Sequence, residues 1–176
     1  MKDRTPPAIH RYWVVIPDTA IDANGHTNNV EYVRLMQAAA ISHADAAGCT
    51  TATTAASASW VVRSHHVEYF QPTVAGDQLA VITWVSTLRK ASSLRKYLFL
   101  READRVVVAR GETNWVFVDS RTGRPKSIPE DVASLFDVLN RRPALSIHAD
   151  GESQVWRVER LRRGPRDRPH ASSRSG

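Results

Sequence analysis

Cysteine is almost missing from this chain: Cys49 is the only one in 176 residues. One thiol closes no internal disulfide and builds no thiolate metal site. Disulfide-stapled and zinc-ribbon architectures are therefore excluded, and a reducing cytoplasm is the expected setting. Cys49 itself reads as a small loop residue. Long apolar runs are lacking as well, so no stretch reads as a membrane span. The opening residues, Met1 to Pro7, have no apolar core of a signal peptide. The chain also contains no phosphate-binding glycine loop, no dinucleotide fingerprint, no serine elbow and no zinc-ligand spacing. Those gaps remove the commonest nucleotide, serine-hydrolase and zinc-dependent chemistries.

Positive charge is in excess, but not evenly. The formal net charge is +6. Residues 141–176 hold nine arginines against four acids, a net of +5, so the body before them is close to neutral. A nucleic-acid partner is not expected, because the basic tail lacks interleaved aromatics and the body offers no basic face. The remaining composition, 42% hydrophobic and 24% charged, suits one ordinary globular domain.

The informative stretch is Asp22-Ala23-Asn24-Gly25-His26-Thr27-Asn28-Asn29, followed by an amphipathic run from Val30. Asn28 or Asn29 is a good helix N-cap. Gly25 permits a tight turn before it. Tyr32, Val33, Leu35, Met36, Ala39 and Ala40 fall at helical spacing, and Gly48 suits the C′ position. The loop thus delivers the Asp22 carboxylate to a helix N-terminus, where unpaired N–H donors and partial positive charge can hold an oxyanion. From spacing alone, Asp22 and the asparagines also read as plain turn and capping residues.

The pattern Asp22-x-x-Gly25-His26-x-Asn28-Asn29-x-x-Tyr32 resembles the signature of hotdog-fold acyl-CoA thioesterases of the 4-hydroxybenzoyl-CoA thioesterase type, D-x-D-x-x-G-H-V-N-N-x-x-Y. The likeness continues in Val61-Val62-Arg63, Tyr69-x-x-Pro72, Gly76-Asp77 and Lys90-Ala91-Ser92-Ser93, and fades after Asp119. Ala20 stands where the family often has an earlier acid, and Thr27 replaces a usual valine. The resemblance implies an α+β hotdog fold, an antiparallel sheet wrapped around one long central helix. It implies an acyl thioester substrate, on coenzyme A or on acyl carrier protein, hydrolysed without metal or other cofactor.

By position, the resemblance makes Asp22 the general base or the nucleophile, and the Asn29 backbone N–H the oxyanion donor. His26 and Asn28 orient the loop, the water or Asp22; His26 reads equally as a packed turn residue. Gly25, Tyr32, Trp60 and Val61 border the acyl site, with Tyr32 also fitting a core position and Trp60 also fitting core or interface. Lys90, Ser92 and Ser93 match a turn that meets coenzyme A, and also fit a solvated turn. Glu31 is a second acid, whose plain role is to complement the helix end. Two other readings stand beside hydrolysis: a non-catalytic acyl-binding protein, and another hotdog enzyme such as a dehydratase.

In order, the chain predicts a strand over 9–16, the Asp22 loop, the long helix and a Thr/Ala/Ser-rich surface loop over 50–59. Strands follow over 59–70, 79–88, 94–101 and 106–118, then a short helix from Ser127 to about Leu139. Gly111 marks a bulge or a close approach. One helix and then a run of strands argue for an antiparallel α+β sheet. The domain is expected over 1–140. Residues 141–176 form a basic, largely flexible extension, in which 154–161 allow one more strand or a helical turn or two. A sheet of this kind has open edges. Val106-Val107-Val108 and Trp115-Val116-Phe117 read as segments able to pair with a copy in a two-fold dimer; the resemblance implies a homodimer or homotetramer with each acyl site at the subunit junction.

Overall fold

The computed structural model describes residues 8–141, together with the backbone of two short strands, Ala144–Ser146 and Arg157–Glu159. The chain divides into two compact units, Met1–Asn140 and Arg141–Gly176. The first holds strand β1 (His10–Val15), a single 3-10 turn (Asp18–Ala20), helix α1 (Asn29–Ala46) and helix α2 (Cys49–Ala55). It continues with β2 (Ala58–Tyr69), β3 (Gln78–Leu88), β4 (Ser92–Arg101), β5 (Val107–Asp119) and helix α3 (Glu130–Ala133). Strands β1 to β5 form one sheet in the order β1-β3-β4-β5-β2, and every pairing is antiparallel. This is the hotdog arrangement, with α1 as the wrapped helix.

α1 forms where the capping signals place it. The Asn28 side chain accepts from the Val30 N–H at 3.0 Å, which satisfies one orphan donor of the first turn. Gly48 follows the last turn with φ of 75°, the left-handed value that glycine takes at least cost. Between these caps Tyr32, Met36, Ala39, Ala40 and His43 make the buried stripe. Its core partners include Leu79, Val81, Tyr97, Phe99 and Val108 from β3, β4 and β5. Fully burying a large apolar side chain of this kind contributes about 1.5–3 kcal/mol. The small alanines let the sheet approach. Gly111 does the same from the other side: a Cβ there would stand 2.7 Å from Met36 Sδ. The close approach is met, and no bulge lies at Gly111; the register shifts fall at Val62/Ser64, Val85/Thr87 and Phe99/Leu100.

Four expectations are corrected. The Thr/Ala/Ser stretch is not a loop, because Cys49–Ala55 is helical. Threonine disfavours helix, but Cys49 packs with Ala58, Phe117 and Val132, Thr53 one turn on is buried and accepts from Trp60 Nε1, and packing overrides propensity. Cys49 is accordingly a buried helix residue. The helix after Ser127 is only one turn, Glu130–Ala133, with Pro129 at its cap; beyond it the Leu139 N–H donates to the Val85 carbonyl at 2.9 Å. Finally, β5 is not an edge. It is bonded to β4 on one side and β2 on the other, so Trp115-Val116-Phe117 cannot offer a free backbone to a copy.

The edges are β1 and β2. β2 is the longer, and from Val61 to His66 it is exposed on both faces. Within the stretch 154–161, residues 157–159 are a strand, β7, paired antiparallel with β6 (Ala144–Ser146). The expectation of a flexible tail over 162–176 lies outside the described residues.

Candidate active site

Asp22 sits in a turn of its own making. Its N–H donates to the His26 carbonyl at 2.8 Å, and its carbonyl accepts from the Gly25 N–H at 3.0 Å. Gly25 takes φ of 77° to close the turn. One carboxylate oxygen, Oδ1, accepts from the Asn24 N–H at 2.8 Å and, at 3.4 Å, from the His26 N–H. No bond to the second oxygen is found among the described residues. The carboxylate is therefore oriented by the backbone but half of its accepting capacity stays open.

A buried polar relay fixes this loop against the body. The Thr27 N–H and hydroxyl both donate to the Thr73 carbonyl, at 2.8 and 3.1 Å. The Thr73 hydroxyl donates to Thr27 Oγ1 at 2.7 Å, and the Tyr32 hydroxyl stands 2.8 Å from Thr73 Oγ1. The threonine that departs from the family pattern at position 27 is thus a partner of the loop before β3. Tyr69, at the end of β2, donates to the Asn29 carbonyl at 3.2 Å. The Asn29 N–H, in the first turn of α1, has no intrahelical acceptor, and no loop acceptor for it is found among the described residues.

Other expected residues take plainer posts here. His26 exposes its ring. Asn28 spends its side-chain oxygen on the α1 cap. Tyr32 is 2% exposed, a core residue whose hydroxyl belongs to the relay. Glu31 pairs with Arg34 at 3.2 Å on the helix surface.

Trp60 and Ser93 lie elsewhere. They line a cavity of about 340 Å³ bounded by α1 from Gln37 to Ala44, by α2 and by the sheet. At 1.5 Å per residue, that part of α1 is roughly 12–22 Å from Asn29 along the helix. Trp60 packs edge-on against Phe117 and donates from Nε1 to Thr53 Oγ1 at 3.2 Å. Val61 is exposed on the β2 edge beside Trp60, while Lys90 and Ser92 sit in and after the β3–β4 turn. Within one chain, then, Asp22, Gly25, His26, Asn28 and Asn29 come together at the head of α1. Trp60 and Ser93 gather at the cavity.

The cavity contains residues that the motif reading passed over. Arg95, on β4, is 6% exposed and lines it. Its Nη1 donates to His43 Nδ1 at 2.8 Å and reaches Thr83 Oγ1 at 3.4 Å. Since guanidinium only donates, His43 Nδ1 accepts, and the neutral ring carries its proton on Nε2. His10 stacks on His43 with centroids 5.2 Å apart, and Phe136 lies 5.4 Å from the Arg95 guanidinium carbon. Burial lowers the Arg95 pKa from its ordinary value, yet arginine keeps its charge at neutral pH. Burial also pushes the Cys49 thiol up, so it is no thiolate nucleophile. Strand alternation held the signal for Arg95: it shares a face with Tyr97 and Phe99, and both are core. Among the described residues no group of His, Cys, Asp and Glu is placed to hold a metal. None of the described helices is long and apolar enough to cross a membrane.

Fold and loop together define a class, and the comparisons agree with it. The family model of the Thioesterase-like superfamily matches residues 16–136. The chain belongs to that superfamily, a family of thioester hydrolases. Among solved structures it is similar to YbaW, a probable thioesterase from Escherichia coli, at 19% identity and a TM-score of 0.67, covering 72% of this chain and 95% of that one. It is similar to Slr0204, a 1,4-dihydroxy-2-naphthoyl-CoA thioesterase from Synechocystis, at 13% identity and a TM-score of 0.65, with 72% and 94% covered. A 12:0-ACP thioesterase from Umbellularia californica aligns at 22% identity and a TM-score of 0.68, over 77% of this chain and 53% of its own. No curated protein matches the sequence.

Proposed function

We propose that the protein hydrolyses an acyl thioester of coenzyme A or of acyl carrier protein, with Asp22 as the catalytic carboxylate. The observation that carries this is the divided carboxylate: Oδ1 is tied to the turn, and among the described residues no bond is found for Oδ2. Five residues of loop and one cap further on stands the Asn29 N–H, for which no acceptor is found among the described residues. A carbonyl held by that N–H develops negative charge at a positive helix end. Asp22 then either deprotonates water or attacks the carbonyl itself, forming a mixed anhydride that water cleaves. In both courses the C–S bond breaks, the thiol leaves, and one water is consumed.

The coenzyme A and carrier-protein thioesters named for the similar structures support both carriers as substrates. The missing wall of the site is supplied by a second copy. β2 offers an unpaired edge with Val61 and Val62 at 44% and 38% exposure, and a two-fold dimer pairs identical edges. In that dimer Asp22 and the Asn29 N–H face the Trp60-Val61-Val62 segment of the partner subunit, giving two equivalent sites.

The test is an Asp22→Asn protein assayed for thiol release from acyl-CoA. Turnover is expected to fall at least about a hundredfold, the low end of general-base contributions, with the fold unchanged by circular dichroism. Near wild-type turnover in that protein would sink the assignment.

A further inference from the structure

Arg95 is a charge placed where charge is costly. The guanidinium is 6% exposed, and its hydrogen bonds go to one neutral ring nitrogen and one hydroxyl. Both leave from the same atom, Nη1. Among the described residues, Nε and Nη2 make no hydrogen bond and no carboxylate forms an ion pair with Arg95. Other arginines among the described residues have carboxylate partners. Arg101 meets Asp104 and Asp77, Arg105 meets Glu102, and Arg110 meets Glu68. A buried ion without a counter-ion is destabilising unless something else supplies one. Here the ion lines a cavity whose other walls, Trp60, Trp115, Cys49 and Val85 among them, are largely apolar.

An apolar cavity with one convergent cationic group is the form of a site for an apolar ligand that ends in an anion. We propose that this cavity receives the acyl part of the substrate, and that Arg95 binds a carboxylate at its far end. The preferred substrates are then thioesters of dicarboxylic acids, in which one carboxyl is the thioester and the other is free. Planar guanidinium matches carboxylate with paired, charge-assisted bonds, and Nε and Nη2 are the pair left open. The proposal rests on the thioesterase reading for its reaction and on the dimer for its geometry. Trp60 lines this cavity and neighbours Val61 and Val62, the segment that faces Asp22 of the partner subunit. An acyl chain entering past Trp60 would run from that carboxylate towards Arg95.

Two measurements separate the anion site from the hydrolysis. The first compares turnover of suberyl-CoA, which carries a free carboxylate, with octanoyl-CoA, which does not. Wild-type kcat/KM should favour suberyl-CoA by roughly tenfold to a hundredfold, the worth of a hydrogen bond to a charged group. In Arg95→Met that ratio should collapse towards one, and Arg95→Lys should restore part of it. An equal or lower rate on the dicarboxylic substrate, or a preference that survives in Arg95→Met, overturns the proposal. The second needs no chemistry: octanoate should raise the wild-type melting temperature, while octan-1-ol at the same concentration should raise it less. Equal shifts for the acid and the alcohol overturn the anion site even if hydrolysis is found. A larger shift for the acid upholds it even if no thioester is cleaved. A shift caused by coenzyme A alone and abolished in Arg95→Met would mean that the guanidinium holds coenzyme phosphate, which also overturns it.

Discussion

The Tyr32 hydroxyl stands 2.8 Å from Thr73 Oγ1, and through Thr27 that contact ties the first turn of α1 and the Asp22 loop to the segment before β3. Thr73 is wholly buried and bonds both neighbours. Thr73→Val should leave the buried Tyr32 hydroxyl without its partner and take one donor from Thr27, which keeps the Thr73 carbonyl, and cost about 1–3 kcal/mol. Tyr32→Phe removes only the outer member, because Thr73 still donates to Thr27, and should cost about 1 kcal/mol. Urea denaturation of the two proteins checks the order. A smaller loss for Thr73→Val than for Tyr32→Phe would mean the relay does not anchor the loop.

Gly111 and Met36 set the spacing between sheet and helix. A methyl at Gly111 would stand 2.7 Å from Met36 Sδ and 3.0 Å from its Cε, and Met36 has no exposed surface into which to move. Gly111→Ala should therefore cost about 1–3 kcal/mol, the range for overpacking a filled core. The double substitution Gly111→Ala with Met36→Ala should show strong coupling, since the second change removes the clash. Additive losses in the cycle would count against direct contact.

β2 should be the assembly edge. Val62→Lys places a charge on it, a standard way of blunting a strand edge. The expected protein is folded by circular dichroism, smaller by light scattering and inactive in the thiol-release assay. A variant that stays fully active as a monomer would exclude a site shared between copies.

Acid should weaken the fold through its histidines. The His10 pKa is lowered from 6.5 by burial and then by Arg95, and that of His65 is lowered by burial. The unfolded chain therefore takes up protons at pH values where the folded chain still resists them. Stability then falls as pH drops through about 6.5, and the loss ends below the folded pKa values. Melting temperature should decline between about pH 7.5 and pH 5, and the decline should be shallower in His10→Asn. An unchanged slope in that variant would assign the acid sensitivity elsewhere.

The loop, its helix and the strand ladder were legible in the sequence because each rests on local chemistry. Asn28 caps a helix wherever the chain puts it, and Gly25 and Gly48 take positive φ for reasons confined to their own turns. Alternation and turn residues marked β2, β3, β4 and β5 to within two residues at most boundaries. Helix α2 was not legible. Its threonines carry no helical preference, and it exists because Cys49 finds Phe117 and Val132 from distant parts of the chain. Nor could the sequence say that β5 is interior and β2 the edge, since strand order follows from non-local pairing.

The candidate site divides in the same way. Asp22 and the amides around it lie within eight residues, so the motif alone assembled them. Arg95 owes its character to residues 12 and 52 positions away, Thr83 and His43, which close over it only when β4 folds against β3 and α1. In the sequence Arg95 is one of four cations around a polar turn, with Arg89, Lys90 and Lys96. The tertiary structure turns it into a buried charge at the wall of a cavity, because only burial removes the water that would otherwise satisfy it.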